Sequence, residues 1–80
     1  MTIPNRIDHR WIATLDNDQL ATAEAELHAV FRAREQSEKA RAGERYVLLQ
    51  GPAPLVDAWH RWMLLSNETR NRGINAPRRA

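Results

Sequence analysis

The chain has 80 residues, a formal net charge of +2 and no cysteine. This length supports one small domain, which on folding buries only about 60% of the surface its unfolded form exposes. A disulfide-stapled scaffold and thiolate zinc sites are excluded, so stability must come from tight helix packing or from association with another chain.

Residues 1–14 form an N-terminal arm. Ile3, Ile7 and Trp11 make an apolar ridge if the arm is helical. The alternative is a short extended segment over 9–14. Both arrangements send Trp11 into the core.

The clearest element starts at Asp16. Its carboxylate suits an N-cap, and Gln19 three residues on completes a capping box. Leu15 and Leu20 flank the cap in the positions of a hydrophobic staple. Ala, Leu and Glu then favour helix without an interior Gly or Pro. Leu20, Ala23, Leu27, Val30, Phe31 and Arg34 follow one helical stripe. Glu24 with His28, and Glu35 with Lys39, are spaced as i,i+4 pairs on outer faces. Beyond Arg34 the stripe turns polar, at Glu38 and Arg41, and Ala42-Gly43 offers a helix end.

The segment ERYVLLQ, residues 44–50, is too short to type by period. Arg45, Leu48 and Leu49 return to the face of Leu20, which favours a kinked helical continuation up to Gly51-Pro52. The alternative pairs 45–49 with 9–14 as two short strands.

Pro54 fits the first turn of a second long helix. Leu55, Val56, Ala58, Trp59, Trp62, Met63, Leu65 and Ser66 fall within one apolar half of that helix, opposite Asp57, His60, Arg61 and Glu68. Arg72-Gly73-Ile74 carries the pattern of a Schellman end, with Gly73 left-handed and Ile74 as the hydrophobic contact. The six residues 75–80, NAPRRA, are expected to be a disordered basic tail.

The expected fold is therefore all-α: a helical hairpin or three-helix domain over 1–74, with an arm at 1–14. A small α+β domain with strands near 9–14 and 45–49 is the alternative. Trp59, Trp62 and Met63 should pack on Leu27, Val30 and Phe31, with Trp11 and Tyr46 as lids. Leu64 falls on the polar side of its helix and has no place in that core.

Catalytic chemistry finds little support. His9, His28 and His60 lack the spacing that puts two ligands on one helical face. His60 with Asp57 is more simply a solvated polar face. Ser37 and Ser66 have no histidine and acid at a usable spacing. Glu24 and Glu26 point about 200° apart on a helix. The glycines, Gly43, Gly51 and Gly73, read as terminators. No enzyme activity, cofactor, metal or small-molecule ligand is expected, and no motif of a known family is legible.

Binding is better supported. The apolar half of the second helix exceeds what the first can cover, so either copies associate or a patch remains for a protein partner. Trp and Arg dominate binding hot spots, which points to Arg61, Trp62 and Leu64. Arg41 and Arg45 belong to a mixed-charge stripe that would suit an oligomer interface. The expected function is a non-catalytic protein-binding domain, working as an adaptor or inhibitor on a larger complex or as a homo-oligomer. Short proteins of this kind are commonly encoded by phages and mobile elements.

A second possibility rests on charge. Asp16, Asp18, Glu24 and Glu26 make 16–30 acidic, while the last 30 residues hold five arginines against Asp57 and Glu68. Arg70, Arg72, Arg78 and Arg79 could bind nucleic-acid phosphates through their forked donors. Complementing the helix dipole and solubilising the tail explain the same arginines more simply. No apolar run reaches the roughly 18 residues of a membrane span, and the N-terminus lacks a signal-peptide core, so the expected location is the cytoplasm.

Overall fold

The computed structural model describes residues 3–74, and Arg78 and Arg79 lie outside them. Three helices follow in order: α1 (His9–Ala13), α2 (Asn17–Ala42) and α3 (Ala53–Asn71). No strand occurs among the described residues, so the all-α expectation holds and the strand pairing of 9–14 with 45–49 is absent.

The arm becomes helical only at His9. Asp8 caps α1 by accepting from the Trp11 amide at 2.9 Å. Residues 3–8 are irregular, so Ile3, Ile7 and Trp11 do not form a helical ridge. They pack into one cluster all the same.

Helix α2 starts where its caps dictate. Asp16 Oδ1 accepts from the Gln19 amide at 2.7 Å, and Gln19 Oε1 accepts from the Asp16 amide at 2.9 Å. The helix ends at Gly43, whose φ of 59° and ψ of −129° suit a residue without a Cβ. That reversal rules out the continuation expected over 44–50. Two 3₁₀ turns, Gly43–Arg45 and Leu48–Gln50, replace it, with Tyr46 and Val47 extended between them. The linker then alternates: Tyr46 and Leu48 pack inward, while Val47 and Leu49 face out.

Helix α3 closes in the Schellman pattern. The Ile74 amide donates to Thr69 O and the Gly73 amide to Arg70 O, both at 3.0 Å, with Gly73 at a φ of 73°. Helices α2 and α3 run antiparallel, because Asn17 meets Arg72, Glu24 meets Trp62 and Arg34 meets Pro54.

The core has two parts. One joins Ile7, Ile12 and Leu15 from the arm side to Leu20, Ala23 and Leu27 of α2 and Leu65 of α3. The other, nearer the linker, joins Phe31 to Leu55 and Ala58, with Tyr46, Leu48 and Trp59 against it. Leu20 and Leu65 are fully buried, and each such side chain contributes about 1.5–3 kcal/mol. Val30, expected in this core, is instead 38% exposed, because it lies at the edge of the α2 stripe. Trp62 packs against both parts.

Candidate functional site

Trp62 stands between the helices. Its ring stacks on Phe31 at 5.5 Å and 8°, and lies 4.8 Å from the His28 ring at 57°. Its indole N–H donates to Glu24 Oε2 at 2.7 Å. Glu24 is 1% exposed, so its expected place on an outer face of α2 is corrected. A buried carboxylate needs donors, and the indole of a residue 38 positions away supplies one. Trp62, expected at a partner-binding edge, thus ties α3 to α2.

Arg61 also turns inward. It is half-buried, and its Nη2 donates to Pro4 O at 2.9 Å, tethering the arm to α3. Its Nε is buried with no acceptor among the described residues. Leu64 stays exposed, as its place on the polar side implies. The three residues expected to form one edge therefore do three different jobs.

Arg72 uses its whole fork within the chain. Nε donates to Glu68 at 2.7 Å, Nη1 to Leu15 O at 2.8 Å and Asn17 Oδ1 at 3.3 Å, and Nη2 to Ile12 O at 3.3 Å. This staples the end of α3 to the turn between α1 and α2. Arg70 is exposed and, among the described residues, donates to Asn67 at 2.6 Å.

Two clefts flank the start of α3. The first, of about 440 Å³, lies between the second half of α2 and the α3 N-terminus. Ala33, Pro52, Pro54 and Leu55 form its apolar wall, and Arg34 and Arg41 its rim. Arg41 forks onto Glu38 at 2.6 and 3.1 Å, and this partner raises the Arg41 pKa further. Arg45 is exposed at the end of the first 3₁₀ turn. Beside it Tyr46 donates to Glu35 Oε2 at 2.8 Å. Burial, then that carboxylate, push the Tyr46 pKa up to about 12.

The second cleft, of about 670 Å³, lies between the arm and α3 and includes Arg6, Arg34, Asp57, His60 and Arg61. Arg34 borders both clefts, with its Nη1 fixed to Pro54 O at 2.8 Å. Spacing along one helix could not reveal this second group, which is drawn from the arm, α2 and α3. Asp57 and His60 do share it, as their spacing on α3 allows.

Among the described residues no group of three or more His, Asp or Glu side chains could hold a metal ion, and no helix is long and apolar enough to cross a membrane. Comparison with known protein families, curated proteins and solved structures gives no match. The functional reading therefore rests on geometry.

Proposed function

We propose that this chain is a non-catalytic protein-binding domain whose binding end is the linker end of the hairpin. It would serve as an adaptor or inhibitor on a larger complex, or associate with its own copies. The observation that carries this is the pair Val47 and Leu49, 49% and 64% exposed on a linker whose alternate residues are packed inward. Beside this end lies the first cleft, with its proline wall and its rim of Arg34 and Arg41. An apolar centre with an arginine rim has the composition of an interface hot spot. Arg41 would act from the rim of this cleft and Arg45 from the exposed turn beyond α2, whereas Arg61 and Trp62 make their contacts within the chain. The nucleic-acid reading loses support, because each of the three Arg72 nitrogens already has an acceptor inside the chain.

The test is a double variant, Val47→Asp with Leu49→Asp, checked by circular dichroism for an intact fold. Partners captured from the source cells, or a concentration-dependent mass in light scattering, should disappear with it. An unchanged partner set and an unchanged mass would sink the reading.

A further inference from the structure

We propose that the cleft between the N-terminal arm and α3 binds a phosphate group, carried on a small organic molecule or on a nucleic-acid strand. Three elements converge there. Arg6 comes from the arm, Arg34 from α2, and His60 and Arg61 from α3.

What sets these arginines apart is that three of them line one cleft. Elsewhere among the described residues Arg32 and Lys39 pair with Glu35, Arg41 with Glu38 and Arg72 with Glu68. Among the described residues Arg6, Arg34 and Arg61 form no ion pair, as is also true of Arg10, Arg45 and Arg70, although Asp57 lines the same cleft. Three arginines lining one cleft with a single carboxylate leave an excess of positive charge there, which an anion would offset.

The cleft is also pre-organised. Arg34 is held by Pro54 O and Arg61 by Pro4 O, at 2.8 and 2.9 Å. A neutral carbonyl fixes each fork without cancelling its charge, so the remaining N–H groups stay available. The Arg61 Nε–H is buried and lacks an acceptor among the described residues, so the guanidinium as a whole is under-satisfied beside the cleft it lines. Forked donors arriving from three directions suit a phosphate, which offers several oxygens and up to two charges. A volume of about 670 Å³ leaves room for the group that carries it.

The two clefts share Arg34, but Arg6 lines only this one, and Val47 and Leu49 line neither, so Arg6→Ala and the Val47/Leu49 double variant test the two proposals apart. The experiment is a calorimetric titration of the full chain with inorganic phosphate, a nucleoside monophosphate and a short single-stranded oligonucleotide, at low and high salt. The variants are Arg6→Ala and Arg34→Ala, with Arg70→Ala as a distant control. Arg6 makes no hydrogen bond or ion pair among the described residues, so its removal should leave the fold intact.

Saturable binding of phosphate or the nucleoside monophosphate, weakened about tenfold by Arg6→Ala or Arg34→Ala and unaffected by Arg70→Ala, supports a small-molecule site. Binding of the oligonucleotide alone, with the same dependence and a steep salt slope, supports a strand. No binding of any probe at low salt would overturn the proposal. So would binding that Arg70→Ala weakens as much as Arg6→Ala does, because it would report general charge.

Discussion

Trp62 makes three kinds of contact with one ring: a stack on Phe31, a tilted contact with His28 and a hydrogen bond to buried Glu24. Phenylalanine would keep much of the stacking and lose the donor. Trp62→Phe should therefore cost about 1–3 kcal/mol, the range for removing one partner of a buried charged group. Urea denaturation checks this, and a cost under about 0.5 kcal/mol would mean that the indole bond adds no net stability. Spacing could not identify Glu24 as buried. On α2 alone, Glu24 and His28 look like a surface pair, and only the arrival of α3 changes that.

The helices begin and end as local chemistry directs. The Asp16–Gln19 box and the Gly73 turn were legible because every residue involved lies within a few positions. Segment 44–50 was not. Its apolar residues fit a helical face, but Gly43 had already reversed the chain, and Tyr46 and Leu48 answer to Phe31 and Leu55 instead. The roles of Arg61 and Arg72 were equally hidden, since their acceptors lie 57–60 positions away. A residue that joins distant elements should be sensitive to shape as well as charge. Arg72→Lys keeps the charge near Glu68 but loses the fork, and should cost about 1–3 kcal/mol in thermal or urea melts. Arg70→Ala, on the exposed side of the same turn, should stay within about 0.5 kcal/mol. Equal effects would show that dipole charge, not the staple, secures the end of α3.

At the scale of the molecule, two core clusters share one wall. Both lie between α2 and α3, and Trp62 touches both. A domain this small has little stability to divide, roughly 0.05–0.15 kcal/mol per residue. The clusters should therefore melt together. Tryptophan fluorescence and far-ultraviolet circular dichroism should give coincident urea transitions. An earlier fluorescence transition would show the two clusters opening separately. The all-α architecture was legible from the periodicity of two long segments. The clefts were not, because each depends on how the segments meet.

The bonds from Arg61 to Pro4 and from Arg72 to Ile12 and Leu15 also fix an order of events during synthesis. The arm leaves the ribosome before α3, and its anchoring donors emerge 57–60 residues after the carbonyls they hold. Until Leu65 has emerged, Ile7, Ile12 and Leu15 have no α3 partner to close over, and the capped start of α2 must wait with its apolar side uncovered. Domains usually mature as units as they emerge. This one completes its core only once α3 has emerged, so a nascent chain stalled before residue 61 should be more open to a chaperone or a protease than the full chain.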